Sequence, residues 1–418
     1  QVAKADVIID ALLGTGTRLP LRGTLAEMLR AVKRSMTVDQ RTRSKITRPA
    51  SPASAKPDRP LIVAVDGPTG LAYDSGALDQ SAIPADITVT FAHPKVGHFR
   101  FPGAEAVGRL LIVDIGTDPA LAANIQLAVV TPEMVRRWLP PRPQDAHKGT
   151  FGRALIVAGS MMYTGAAYLA GSAATRAGAG LVTLALPQAI YGAIAGRLAE
   201  ATYLPLPHDE GFVAARAADK LTEQATAYDA LLIGPGLGQR QTTQQFLKAL
   251  LKKGKLQPLV IDADGLNMLA KMDNWPQMLP PQTILTPHPG EMARLMGSTI
   301  DQVQADRVTV ARSQAEAWQQ TVILKGAYTV VAAPDGQTMV IEPFANAGLA
   351  TAGTGDVLAG AVVALRAQGL GAFQAAAAGA YVHGLAGQHA KRNQGAIGMV
   401  AGDVLAHLPQ AMRAIGGT

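Results

Sequence analysis

Cysteine is absent from the 418 residues, which excludes a disulfide framework, a thiolate nucleophile and a Cys-ligated zinc site. Aromatic residues are scarce at 5%, so an aromatic-rich binding surface has little to be built from. No run of eighteen apolar residues escapes a charge or a cluster of glycines. The chain opens on Gln1 with no signal-peptide pattern, so the expectation is a soluble, cytoplasmic protein with no membrane partner. The missing initiator Met also points to a fragment. Four familiar signatures are lacking as well: the GxxxxGK[ST] phosphate loop, the HExxH zinc helix, the GxSxG nucleophile elbow and the GxGxxG dinucleotide turn. A nicotinamide molecule bound here would therefore be a substrate, not a cofactor held in a Rossmann turn.

What is present is 48% hydrophobic residues, 17% charged residues and 43 glycines. That composition excludes disorder of the whole chain and points to an α/β enzyme with an Ala, Val, Leu and Ile core and many tight turns. The net charge of +7 is local. Residues 21–60 hold ten Lys or Arg against three acids, and the rest of the chain balances. A general polyanion surface, and with it a nucleic-acid partner, loses its support. The stretch from about Ser35 to Pro60 is rich in Ser, Thr, Arg and Pro without apolar periodicity, which predicts a solvated surface insertion.

The order of apolar runs predicts two α/β domains, residues 1–125 and 130–418, with the break marked by Asp118-Pro119 and the proline-rich 140–143. In the first, strands are predicted at Val7 to Leu13, Leu61 to Val65, Ile87 to Phe91 and Leu110 to Ile115. In the second, strands at Ala154 to Ala158, Leu181 to Leu186, Ala230 to Ile233, Leu259 to Ile261 and Thr283 to Leu285 alternate with helices, the pattern of a parallel sheet with crossover helices. Helices are predicted from about Gly165, near Gln241 to Leu251, at Pro289 to Met296 and at Val303 to Gln319. Paired strands follow at Thr321 to Leu324 and Tyr328 to Ala332. The Ala- and Gly-rich stretches Val357 to Leu370 and Ala372 to Ala390 read as interior helices.

The chemistry concentrates at Asn346 to Asp356, NAGLATAGTGD, followed at once by an apolar helix. Gly353 and Gly355 leave backbone N–H groups bare at a helix N-terminus, where orphan donors and the helix dipole bind phosphate oxygens. Asp356, in the first turn, is placed to take a proton from a hydroxyl attacking a terminal phosphoryl group. A helix cap is the plainer reading, but a cap needs neither flanking glycines nor a preceding run of small residues. Lys325-Gly326-Ala327-Tyr328-Thr329 lies in a strand-to-strand turn and either meets nucleotide phosphates or is a hairpin with an exposed lysine. His288, between two prolines at a strand end, is open to a structural role or a substrate contact. Gly234-Pro235-Gly236-Leu237-Gly238 admits a close backbone approach. Asp262 and Asp264 either hold magnesium through water, neutralise phosphate, or cap the next helix.

Together these motifs resemble a known family. GTGD before an apolar helix, without a Walker loop, resembles the ribokinase-like superfamily. The ordered set HKGTFG at 147, Gly159-Ser160 with Tyr163-Thr164-Gly165-Ala166, GPGLG at 234, DADGLN at 262, TPHPGE at 286, KGAYT at 325 and NAGLATAGTGDVLAG at 346 is similar to its NAD(P)H-hydrate dehydratase branch. Asp10 to Gly16, Asp66-Gly67-Pro68-Thr69-Gly70 and Phe91 to His98 resemble the second half of an NAD(P)H-hydrate epimerase domain.

The resemblance implies a ribokinase-like three-layer sandwich with a mostly parallel sheet, preceded by a partial Rossmann-like domain. It implies a metabolite-repair lyase that returns S-hydrated NAD(P)H to NAD(P)H while ADP (or ATP) donates a phosphoryl group, with Mg2+, and an isomerase that interconverts the R and S hydrates, with K+. Its substrates are NADHX and NADPHX, and a homo-oligomer is expected. Carried over by motif, hydrate contacts fall on Ala166, Gly236 and His288, and nucleotide contacts on Lys325, Gly326, Ala327, Tyr328, Thr329, Gly353, Gly355 and Asp356. In the epimerase half they fall on Gly14, Thr15, Gly16, Thr17, Arg18, Leu19, Pro20 and Asp66, with Asp10 and Thr69 on potassium. Thr69 stands where serine is usual, the insertion is long, and the phosphate loop of that domain's first half is absent. The expectation from these departures is dehydration without epimerisation. Two other readings stay open: an ATP-dependent kinase of a small vitamin alcohol on the same fold, and a non-catalytic nucleotide sensor.

Overall fold

The computed structural model describes residues 2, 5–37, 59–254, 256–341 and 345–416, in two compact units, residues 1–124 and 125–418. The first unit is a parallel sheet in the order β1 (Val7–Asp10), β2 (Leu61–Val65), β3 (Ile87–Phe91), β4 (Arg109–Val113). Helix α1 (Gly23–Thr37) connects to the 38–58 stretch. Ala26 and Leu29, spaced for one helical face, meet Ile62 and Ala64 of β2 in a small core. Ser35 and Met36, expected in the insertion, instead continue α1; the remainder of that insertion, 38–58, lies outside the described residues.

The second unit is built on a ten-stranded sheet: β5 (Leu127–Val129), β6 (Arg153–Val157), β7 (Leu181–Pro187), β8 (Thr202–Leu206), β11 (Ala230–Ile233), β12 (Leu259–Ile261), β13 (Ile284–Leu285), β14 (Thr321–Leu324), β15 (Val330–Ala332) and β16 (Thr338–Val340). A two-stranded hairpin, β9 (His208–Asp209) and β10 (Phe212–Val213), stands apart. The sheet order is β5-β16-β15-β14-β13-β12-β11-β6-β7-β8. Every pairing is parallel except β14 with β15 and β15 with β16. The chain runs from β6 outward to β8, then returns beside β6 at β11 and proceeds the other way. The switch point of the topology thus lies between β6 and β11, where open α/β sheets bind their ligands.

The helices are α2 (Pro132–Trp138), α3 (Thr164–Arg176), α4 (Tyr191–Ala195), α5 (Ala217–Ala225), α6 (Gln241–Lys252), α7 (Asp264–Leu269), α8 (Trp275–Met278), α9 (Pro289–Met296), α10 (Ile300–Ala305), α11 (Arg307–Trp318), α12 (Thr354–Ala367), α13 (Ala372–Gln394) and α14 (Ala401–Ile415). They cover both faces of the sheet. Ala154 and Ile156 of β6 enter a core with α3, α12, α13 and α14, while Leu155 and Val157 enter a second core with α5, α6, α7 and α11. Alternate residues feed opposite cores, so both sets are apolar and the strands read as continuous hydrophobic runs. No helix among the described residues is long and apolar enough to cross a membrane.

Four expectations are corrected. The helix expected over 303–319 is two helices, because Asp306 (φ −150°, ψ 81°) leaves the helical region and caps α11 through the Thr309 amide at 3.1 Å. Tyr328 sits at φ 52° and cannot open a strand, so β15 starts at Val330. The strands expected to run to Leu13 and to Ile115 are shorter, ending at Asp10 and at Val113. Strands β5, β8, β9, β10 and β16 were not expected; two to five residues carry too little period to read.

Candidate active site

Strands β6, β11, β12, β13 and β14 all point their carboxyl ends at one edge of the second unit, and each delivers a polar or glycine-rich loop there. Helix α12 begins at the same edge. Its cap residue Gly353 adopts φ 89°, a left-handed conformation that favours glycine, and no side chain caps the helix. The Thr354 amide already donates to the Thr351 carbonyl (3.4 Å), which leaves the amides of Gly355 and Asp356 as the orphan donors for an anion. The buried His383 of α13 donates from Nε2 to the Thr354 carbonyl (2.9 Å). Burial holds that imidazole at about 4, hence neutral.

Asp356 lies in the first turn of α12. Burial, reinforced by the nearby Asp262, pushes its carboxyl up to about 7 against some relief from Lys325. A helix N-terminus ordinarily favours a carboxylate; here desolvation outweighs it, which leaves a group able to take and return a proton near neutral pH.

Beside it, Lys325 at the end of β14 is largely buried, with Nζ 2.7 Å from Asp262 Oδ1 and 3.6 Å from Glu291 Oε2. A Cβ placed on Gly355 would lie 3.5 Å from that Nζ, which locates the ammonium at the mouth of α12. Burial works against its charge, but Asp262 and Glu291 overcome it and raise its pKa. The exposed-hairpin reading of Lys325 is thereby overturned. Gly326 and Ala327 are exposed, and the Thr329 hydroxyl donates to the Gly326 carbonyl (2.9 Å), which closes the 326–329 turn.

The two acids after β12 are both engaged by protein donors, and the capping role considered for them is not the one they fill. Asp262 is occupied by Lys325 and by the Thr286 hydroxyl (2.6 Å), and Asp264 accepts from the Gly238 amide (2.8 Å) and from Gln239. Neither caps α7, whose cap is Ala263 with no side-chain bond. Among the described residues no group of three or more His, Asp or Glu could hold a metal ion by itself.

Gly236 and Ala166 face each other across the switch point: a Cβ on Gly236 would stand 2.7 Å from that of Ala166. Ser160 Oγ donates to the Gly236 carbonyl (2.8 Å) and ties the two loops. His288 serves as the cap of α9, with Nδ1 accepting from the amides of Gly290 (3.0 Å) and Glu291 (3.4 Å). Its Nε2 is 3.4 Å from Glu291 Oε1, and half the side chain remains exposed, so capping leaves part of the ring open to solvent. Burial and the cations Lys325 and Arg294 lower its pKa despite Glu291. Thr286, Glu291 and His383 were not singled out from the sequence. Glu291 had a readable signal, three residues after a capping position; His383 had none.

In the first unit, Asp10 and Thr69, distant in sequence, meet. The Thr69 hydroxyl and amide donate to the two Asp10 oxygens (2.5 and 2.8 Å), and the Leu13 amide donates to the hydroxyl (3.2 Å). The 14–20 loop follows directly, closed by Thr17 Oγ1 on the Gly14 carbonyl (2.8 Å). Asp66, at φ 66°, accepts on Oδ1 from Thr90 (2.8 Å) and from the Lys95 ammonium. Burial opposes its charge, but those donors hold the carboxyl below the usual range.

Comparison with known proteins agrees with this geometry. A family model for NAD(P)H-hydrate dehydratase matches residues 154–410, and one for the YjeF-related protein N-terminus matches residues 1–97. A bifunctional NAD(P)H-hydrate repair enzyme of Moorella thermoacetica is 41% identical over 98% of this chain and 73% of its own length. That of Escherichia coli is 35% identical over 96% of this chain and 71% of its own. An ADP/ATP-dependent NAD(P)H-hydrate dehydratase of Bacillus subtilis, crystallised with ATP and Mg2+, superposes with a TM-score of 0.60 at 32% identity, covering 70% of this chain and 99% of that one. A ribokinase-like superfamily protein of Enterococcus faecalis superposes at 0.61 with 26% identity, over 70% of this chain and 98% of that one.

Proposed function

Because the chain belongs to the family of bifunctional NAD(P)H-hydrate repair enzymes, we propose that its second unit dehydrates S-hydrated NADH and NADPH, with ADP as phosphoryl donor and AMP and phosphate as products. The observation that carries this is Asp356: a carboxyl at about 7, in the first turn of an uncapped helix, beside the Lys325 ammonium. Hydroxide is a poor leaving group, and phosphorylation first converts it into a better one. Asp356 takes the hydroxyl proton as that oxygen attacks the terminal phosphorus of the nucleotide, and the phosphoanhydride bond breaks to release AMP. The amide at Gly355 and the Lys325 ammonium stabilise the charge on the transferring group. Phosphate then departs as the ring nitrogen pushes its electron pair into the C–O bond's carbon, and loss of a proton from the adjacent carbon restores the dihydropyridine. Mg2+, when bound, would neutralise polyphosphate charge. Ala166, Gly236 and His288 line the hydrate side of the switch point, and the 325–329 turn the nucleotide side.

The assay combines the purified chain with hydrated NADH or NADPH, Mg2+, and ADP or ATP in parallel. Return of dihydropyridine absorbance with stoichiometric inorganic phosphate is expected. A stable phosphorylated product would instead establish the kinase reading, and nucleotide binding without turnover the sensor reading.

For the first unit the proposal is a hydrate-binding site of the epimerase type, with the 14–20 loop and Asp66 against the hydrate but no epimerisation by this chain, so racemised hydrate should be consumed completely no faster than spontaneous epimerisation allows. Asp10 is a buried carboxylate that forms no ion pair among the described residues, and with the Thr69 hydroxyl it presents hard oxygens suited to K+. K+ is therefore expected to raise the melting temperature more than equal NaCl, by mass action, and Asp10→Asn to abolish the difference in a thermal scan.

A further inference from the structure

Asp262 and Lys325 are 63 residues apart in the chain, on neighbouring loops after β12 and β14, and their pair at 2.7 Å is the tightest charge contact beside α12. Asp262 is buried to 1% exposure and is held on Oδ1 by Thr286 as well. Glu291, also buried, is fixed by the His288 amide (2.8 Å) and lies 3.6 Å from the same ammonium. Two buried acids around one cation is more negative charge than the pair needs. Poorly screened by solvent, the excess acts on the neighbouring ionisable groups, Asp356 on one side and the half-exposed His288 on the other. It also keeps Lys325 from swinging out, since leaving would strand Asp262 as a buried unpaired charge.

We infer that Asp262 is a positioning residue for this reaction: it anchors Lys325 at the mouth of α12 and, as a fixed negative charge facing Asp356, governs the protonation of that carboxyl. The inference rests on the dehydratase reading for its chemistry, but the electrostatic coupling is a property of the protein alone. The groups that face Asp356 are Asp262 and Asp264 from the β12–α7 loop, Glu291 from α9, Lys325 from β14 and the neutral His383 of α13 through Thr354. On the α3 and α14 sides, the apolar Leu169 and Ala401 pack against Gly353 at the helix start.

The two partners act in opposite directions. Asp262→Asn removes a like charge, leaves Lys325 less neutralised, and keeps an acceptor for Thr286, so the Asp356 titration should fall by about one pH unit. Lys325→Met removes the cation and should raise it by about one unit. Carboxyl carbon NMR of Asp356 in the ligand-free protein reads these shifts directly, and the acid limb of the kcat/KM profile should follow each one. Glu291→Gln, expected to shift the titration downward by less, serves if Asp262→Asn does not fold. Opposite shifts support the inference; no shift, or shifts of the same sign, overturns it. If the NMR shifts appear while hydrated nicotinamides are not turned over, the coupling stands and the substrate reading fails.

Discussion

At the scale of single residues, Asp356 decides the most. Its folded carboxyl titrates at about 7 against an ordinary 3.8, so between those values the folded protein holds a proton that the unfolded chain has lost. Stability therefore falls as pH rises through that window, and the full cost is present above about pH 7. Asp356→Asn is expected to raise the melting temperature by a few degrees (order of magnitude) at pH 8, to leave it unchanged below about pH 4, and to reduce kcat on the order of 10²–10⁴-fold. Calorimetry and the absorbance assay read the two effects separately. ADP affinity should survive the substitution, since the α12 amides remain. The residue was legible in the sequence because a GTGD turn before an apolar run has few other uses. Asp262 was only half legible: its position at a strand end was readable, but its partner was not.

At the scale of elements, α12 carries the site only because it packs closely on α3. A Cβ on Gly360 would lie 2.2 Å from the Ala170 carbonyl, too near for any side chain without displacing a helix. Gly360→Val is expected to destabilise the protein by about 1–3 kcal/mol by overpacking. It should also lower kcat more than nucleotide affinity, because tilting α12 moves Asp356 while the phosphate-binding amides move with it. Denaturant melts and nucleotide titration check the two parts. The Ala and Gly richness of the interior helices was plain in the sequence, whereas the break at Asp306 and the short edge strands were not. A one-residue dihedral change and a three-residue strand leave no periodic trace.

For the whole molecule, β5 is the informative element, because Leu127 to Val129 pair with β16 and belong to the second sheet. Val130, which follows, is buried in the core of that unit. A fragment of residues 125–418 is expected to fold and to retain dehydratase turnover. One starting at 131 should melt lower, since it loses the β5 ladder and the Val130 contact. Parallel thermal scans of the two fragments test where the unit begins. The sequence by itself determined the α/β class, the run of main strands and helices, and the helix start that receives an anion, because period, glycine and terminal amides are local properties of the chain. The tertiary structure alone decided that Lys325 is neutralised by Asp262 and Glu291, that Asp10 meets Thr69, and that burial brings Asp356 near neutrality. Electrostatic coupling depends on distance and desolvation in space, and neither is written in the order of residues.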